Sequence, residues 1–339
     1  MTAVESDKMT TNTSTLPHSR PALPRIVTDA MPVVVMAVGG LAAFWLFPND
    51  LGLLTRILAA ALFVMSLDMV LGYCGIATLG HAAMFGTGAY AAGIVAVNWV
   101  SDPLALLAVG GVAGGLIALA TGALILHARG LTLLMLTIAV AQIVQEVANK
   151  ARDWTGGSDG LSGIDPAPVL GLFRFDLYGR TSYLFALAVL IVGFLVARRI
   201  VRSPCGLACR GVREEPLRIA ALGGSPRRYL VSMYAVAGVF AGIAGALTAI
   251  TSGIVGLDSV GFSWSAEAMI MLVLGGTGRL YGAVIGTVAF MAIHHILAST
   301  DPFHWMLFIG LFLMGIVLFL PGGIASLSAR VLPLVKGGR

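Results

Sequence analysis

The run Leu104-Ala-Leu-Leu-Ala-Val-Gly-Gly-Val-Ala-Gly-Gly-Leu-Ile-Ala-Leu-Ala-Thr-Gly-Ala-Leu-Ile-Leu126 contains no charged residue. A helix that crosses a bilayer needs roughly 17–25 such residues. Nine further apolar stretches surround it: Met31 to Phe47, Leu53 to Leu71, Leu79 to Val97, Leu131 to Ala148, Tyr183 to Ala197, Tyr229 to Ile250, Ala266 to Leu274, Tyr281 to Leu297 and Phe303 to Leu320. Charged residues make up 11% of the chain, against about 25% in soluble domains, and mean hydropathy is +0.93. A chain this apolar has too little polar surface to face water, so its solvent is lipid. The fold expected is an all-α membrane protein: a polytopic bundle of about 8–10 transmembrane segments. A β-barrel would show alternating segments of about 10 residues, and these are absent from the sequence. The stretch ending at Leu274 is too short to span alone, which points to broken or re-entrant Gly-rich helices.

Basic residues in short loops set orientation. Between Arg198 and Arg228 lie eight arginines against Glu214 and Glu215, a local charge of +6. This segment, 198–228, therefore reads as cytoplasmic. Lys8, Arg20 and Arg25 precede the first apolar stretch, and Arg330, Lys336 and Arg339 follow the last, so both termini read as cytoplasmic too. The domain reading is a disordered tail over 1–28, a membrane domain over 29–325 with an external loop at 149–181, and a second tail over 326–339. The net +5 is explained by this bias and is no sign of nucleic-acid binding. No secretory signal peptide is apparent, because no small-residue cleavage site follows the first apolar run. Cys74, Cys205 and Cys209 form no disulfide framework, and the latter two lack the His or further Cys that a metal site would need.

The chain has 43 glycines. Gly111 with Gly115, and Gly238, Gly242 and Gly245, have the spacing that lets membrane helices approach closely. Two denser clusters differ: Gly72, Gly75, Gly80, Gly86 and Gly88, and then Gly275, Gly276, Gly278 and Gly282. Glycine weakens a helix by about 1 kcal/mol relative to Ala, and discontinuous helices often build transporter sites. Gly75, Thr78, Gly80 and His81, packed against Gly275, Gly276 and Gly278, are therefore expected to line or support a translocation path. A Gly-Thr-Gly followed by Tyr recurs at Gly86–Tyr90 and Gly276–Tyr281, consistent with a weak internal repeat. Ionisable groups at membrane depth suggest function; here they are Asp68, His81, Glu146, Glu267, His294 and His295. The last four lie near segment ends, where simple solvation is the plainer reading. Asp68 and His81 point to a polar cavity or an interhelical hydrogen bond.

The stretch Cys205-Gly-Leu-Ala-Cys-Arg-Gly-Val-Arg-Glu-Glu-Pro-Leu-Arg-Ile-Ala-Ala-Leu-Gly223 predicts a short capped helix: Pro216 at its first turn, acidic residues beside it and Gly223 after it. Leu217, Ala220 and Ala221 share one face. That face suits either a membrane surface or a groove on a partner.

The run Leu71-Gly-Tyr-Cys-Gly-Ile-Ala-Thr-Leu-Gly-His-Ala-Ala-Met-Phe-Gly-Thr-Gly-Ala-Tyr90 resembles the signature of branched-chain amino-acid ABC importer permeases of the LivM type. So do Thr155-Gly-Gly-Ser-Asp-Gly-Leu-Ser-Gly-Ile164, Arg210 to Gly223, Leu274-Gly-Gly-Thr-Gly-Arg-Leu-Tyr-Gly-Ala-Val-Ile-Gly286 and Leu320-Pro-Gly-Gly-Ile324. The resemblance implies one of two membrane subunits of an ATP-driven importer, paired with a LivH-like second permease, two cytoplasmic ATP-binding subunits and a periplasmic binding protein. Arg210, Arg213, Glu214, Glu215, Ala220, Ala221 and Gly223 would then form the coupling segment. Gly156, Gly157, Ser158, Asp159 and Gly160 would lie at the periplasmic gate, where the binding protein docks. No Gly-x-x-x-x-Gly-Lys-Ser/Thr occurs, so phosphate binding through a P-loop is not encoded. The chain is expected to hold no cofactor or metal, with ATP and Mg bound by the partner ATPases. Branched-chain amino acids are the expected cargo, with urea or short amides as the alternative. A gradient-driven secondary transporter would have no need of a partner-docking helix. A membrane-embedded enzyme would need a His-Glu-x-x-His or paired-carboxylate constellation, which the sequence lacks.

Overall fold

The computed structural model describes residues 25–128, 130–169, 173 and 179–300, with isolated positions 307, 310, 311, 314, 315, 323 and 324. In chain order the helices are α1 (Arg25–Leu46), α2 (Leu51–Asp68), α3 (Ala82–Asn98), α4 (Pro103–Ile125), α5 (Leu131–Lys150), α6 (Arg152–Thr155), α7 (Arg180–Val201), α8 (Pro204–Glu214), α9 (Pro216–Ala221), α10 (Pro226–Ser252), α11 (Phe262–Gly275) and α12 (Leu280–Thr300). Six are long and apolar enough to cross a membrane, counting α2 with its continuation to Tyr73, and three shorter apolar helices accompany them. All nine fall on expected stretches. The tenth stretch, Phe303 to Leu320, lies outside the described residues apart from isolated positions, as do residues 1–24 and 325–339.

Differences from expectation follow from polar residues that helices tolerate at their ends. The first helix starts at Arg25 rather than Met31, inside the expected tail. The seventh runs to Val201, past Arg198 and Arg199, whose charges suit a helix C-terminus. Opposite the Arg-rich end, β1 (Leu161–Ser162) pairs antiparallel with β2 (Ile254–Val255), a small departure from an all-α fold.

The bundle is built around α2. Its apolar window is 83% buried, whereas that of α5 is 22% buried, which puts α5 at the periphery. Phe63, on α2, is fully buried and meets Phe85 of α3 at 4.8 Å, His81 at 5.5 Å and Trp264 of α11 at 6.1 Å between ring centroids. Beside this core, α3, α4 and α10 cross at almost backbone contact. A Cβ on Gly242 would collide with the Gly110 carbonyl, and one on Gly114 would stand 2.5 Å from the Gly238 carbonyl. Without a hydrophobic drive between helices in lipid, such close packing supplies the attraction. Gly110 and Gly114 make the backbone contacts, while the expected pair Gly111 and Gly115 sits one residue over, against Ile243 and Val239 side chains.

Replacing Gly242 by Ala should therefore lower stability, by about 1–3 kcal/mol as overpacking does. Gly39→Ala, where an added Cβ meets nothing within 4 Å, should not. Thermal unfolding of the detergent-solubilised protein, followed by tryptophan fluorescence, makes the comparison; equal midpoints would mean that the crossing widens freely.

Candidate functional site

Two chain breaks meet at the Arg-rich end of the bundle. After Asp68 the second helix widens into a π-helical turn, Met69–Tyr73, of a kind often found at functional sites. The second break is the turn between α11 and α12, where Gly276 (φ 99°) and Gly278 (φ 80°) adopt backbone angles open mainly to glycine. The Gly278 amide donates to Asp68 Oδ1 at 2.7 Å, and Gly72 faces the same amide with no room for a Cβ. Arg213, on α8, donates through Nη1 to the Gly72 carbonyl. Its aliphatic stem packs on Gly75. Arg210, one turn earlier, lies 4.6 Å over the Tyr73 ring, an attraction of about 0.5–1 kcal/mol at exposed sites. The expected interhelical hydrogen bond of Asp68 is thus present, and its partner is the second glycine cluster.

From Cys74 the chain turns back into the bundle as an extended segment and re-forms a helix only at Ala82. His81 pairs with Ser66 of α2 at 2.8 Å through Nε2. Ser66 lies seven residues before Tyr73, so His81 sits about 10 Å along that helix from its Arg-rich end. Buried amides in lipid need partners. Those of Gly75 and Ile76 bond the Leu71 and Val70 carbonyls. The Leu79 amide finds Thr137 Oγ1 at 3.2 Å, that of Gly80 finds Thr78 Oγ1 at 3.3 Å, and that of Ala82 finds Ser265 Oγ at 2.8 Å. Ser66, Thr137 and Ser265 looked like filler in apolar runs, and nothing in the one-dimensional pattern marked them.

A cavity of about 560 Å³ opens at this end, lined by Gly75, Arg213 and Thr277 among others. Of the expected pathway residues, Gly75, Gly276 and Gly278 gather at the junction. Gly275 is packed on the Gly282 carbonyl. Thr78, Gly80 and His81 lie deeper, fully buried. The Gly-Thr-Gly echo does not carry into structure: Gly86 to Tyr90 lie within α3, while Gly276 to Gly278 form a turn. The three cysteines also come together here, as free thiols. Cys74 lies near Cys209, with Cys205 on the same helix as Cys209, and the Cys209 thiol reaches the Tyr229 carbonyl at 3.5 Å. Among the described residues no group of three His, Cys, Asp or Glu side chains is placed to hold a metal.

The Arg-rich segment is two helices, not the one short helix expected. Ser203 caps α8 through its hydroxyl, Glu215 is extended, and α9 follows with no buried residue. Gly223 (φ 83°) ends it, as predicted, with the Gly224 amide returning to the Ile219 carbonyl at 3.0 Å. Arg210 and Arg213 face the junction. Glu214, Glu215, Ala220 and Ala221 are exposed, with Leu217 and Leu222 at 78% and 80%. At the opposite end, Gly156, Gly157 and Gly160 take positive φ around a tight turn over Ser158 and Asp159, which lie exposed. Their side chains meet each other at 3.5 Å. Glu146, nearby, pairs with Lys150 at 3.4 Å, both exposed.

An apolar multi-helix bundle with two broken helices meeting a charged helical hairpin at one end suits a membrane permease. The family model described as branched-chain amino acid transport system / permease component matches residues 50–320, and the chain belongs to that family. Among curated relatives, the high-affinity branched-chain amino acid transport system permease protein LivM of Escherichia coli K12 is 26% identical over 303 residues, covering 80% of this chain and 69% of the relative. Its namesake in Salmonella typhimurium LT2 is 25% identical over 336 residues, covering 89% and 77%. A probable branched-chain amino acid transport permease protein LivM of Methanocaldococcus jannaschii is 26% identical over 328 residues, covering 80% and 92%. No solved structure matches. The chain is a multi-pass inner-membrane protein and the permease subunit of an ABC importer.

The cysteine convergence gives a direct check on how α8 docks. Mild oxidation with copper phenanthroline should cross-link Cys74 to Cys209, detected by mass spectrometry of the joined peptides. Two freely alkylatable thiols with no cross-link would place α8 away from the π-helical turn.

Proposed function

We propose that this chain imports branched-chain amino acids delivered by an external binding protein. It would work as one of two membrane subunits, driven by two ATP-binding subunits that dock on α8 and α9. The observation that carries this reading is the contact of Arg213 with the Gly72 carbonyl. It ties the exposed hairpin to the place where the π-helical turn and the α11–α12 turn meet through Asp68 and Gly278. A push on α9 therefore bears on two broken helices at once. The exposed Leu217, Ala220, Ala221 and Leu222 supply the apolar contact for an ATPase groove, and Glu214 and Glu215 the polar rim. ATP and Mg belong to those partners. In this orientation the hairpin and both termini lie in the cytoplasm, and the Gly156–Gly160 turn faces the binding protein.

In reconstituted complexes, Arg213→Ala should cut uptake at least tenfold while ATP hydrolysis continues, because the hairpin loses its grip on Gly72. Glu214→Ala and Gly223→Leu should likewise abolish uptake or uncouple hydrolysis, with the binding protein still binding substrate. Normal coupled uptake in all three would remove this reading of α8 and α9. Orientation is checked separately: Cys at Ser158 should react with an impermeant thiol reagent added outside intact cells. Reaction only after lysis would reverse the orientation and detach the hairpin from any cytoplasmic ATPase.

A further inference from the structure

A second cavity, of about 410 Å³, lies between α2, α10, α11 and α12. Its size is that of a small-molecule site, about 300–1,000 Å³. Arg56 of α2, Glu267 of α11 and Asp258 in the turn before α11 all line it, with His294 and His295 of α12. Among the described residues no ion pair joins Arg56 to either carboxylate. The two signs stand on different elements of one open cavity, with Arg56 and Asp258 exposed and Glu267 half-buried. Held apart, they match a ligand carrying both charges.

Apart from Thr248, Ser259 and Trp264, the remainder of the wall is apolar. Phe85, Phe290, Met271 and Met291 face the same space, enough for a branched aliphatic side chain. Methionine adapts to irregular shapes, which suits a surface that takes several related side chains. The cavity is open rather than enclosed: Arg56 and Asp258 are exposed, while Glu267 is half-buried on the first turns of α11.

We infer that this cavity receives the zwitterionic head of an aliphatic α-amino acid. Arg56 takes the carboxylate, Glu267 the ammonium with Asp258 at the rim, and the side chain lies on Phe85, Phe290 and Met271. The inference rests on the proposed function and names the substrate contacts within it. Arg forms paired hydrogen bonds to a carboxylate that Lys cannot reproduce, so the two should be distinguishable at this position.

The test uses the whole importer in proteoliposomes with its binding protein and radiolabelled leucine. Arg56→Ala and Glu267→Gln should each raise the KM for uptake about tenfold, a change worth about 1.4 kcal/mol, and Arg56→Lys should fall between Arg56→Ala and wild type. Met291→Cys gives an independent reading. Its labelling by an impermeant thiol reagent should be blocked by millimolar leucine, but not by isoamylamine or 4-methylpentanoate, each of which keeps one charge. Where Arg56→Ala fails to assemble, this protection experiment decides. Leucine uptake by wild type with unchanged KM in both charge variants, or labelling unaffected by leucine, would overturn the assignment of the cavity alone. A wild-type complex that imports no amino acid would overturn the proposed function and this assignment with it.

Discussion

The hydrogen bond from the Gly278 amide to Asp68 is the constraint on which the rest of this structure depends. A helix interrupted in lipid leaves backbone donors and acceptors bare, each costing several kcal/mol. An exchange of hydrogen bonds between two adjacent interruptions and a neighbouring helix can satisfy them. Asp68 serves the α11–α12 turn, and the carbonyl of Gly72, freed where α2 widens, is taken by Arg213. Glycine at 72 lets the two backbones come close enough for this exchange, and the positive φ of Gly278 shapes the turn that meets it. Without the exchange, neither break would be tolerable at this depth.

The same logic explains the extended segment before α3. The first two amides of this segment still bond back to Leu71 and Val70. Farther on, hydroxyls arrive from three other places: Thr137 on α5 takes the Leu79 amide, Ser265 on α11 the Ala82 amide, and Ser66 on α2 holds the His81 ring. Each hydroxyl is a single polar atom in an apolar run. Its value lies entirely in where tertiary packing delivers it.

That difference marks what could be read in the sequence and what could not. Spans were legible because length and apolarity are local properties, and every described apolar helix lies on an expected stretch. Gly276 and Gly278 announced a break because glycine density is local too, and Gly223 ended α9 for the same reason. Pairings were not legible. Nothing near Asp68 names Gly278, 210 residues away. The convergence of Cys74 with Cys209 likewise depends on how α8 folds against the end of α2. Arg56 escaped notice because a single arginine at the fourth residue of an apolar stretch reads as an end effect; its place beside Glu267 and Asp258 appears only in the fold. The hairpin was underestimated for a related reason. Pro204 and Pro216 each start a helix, and the extended Glu215 between them separates what looked like one segment.

Both functional regions are mounted on the same two helices. Arg56 and Asp68 are twelve residues apart on α2, about 18 Å along its axis, and Glu267 stands eight residues, about 12 Å, from Gly275 on α11. Helices transmit displacement along their length as nearly rigid rods, whereas packed interfaces shift between discrete arrangements. A movement of α8 against Gly72 and the Gly276–Gly278 turn would therefore act at the ends of the two elements opposite those that carry Arg56 and Glu267. Phe63 and Trp264, parallel within 3° at 6.1 Å between centroids, form the aromatic contact between those helices. The spacing of Arg56 from Glu267 then becomes the quantity that hairpin movement changes. Coupling and substrate release would be two readings of one relative motion.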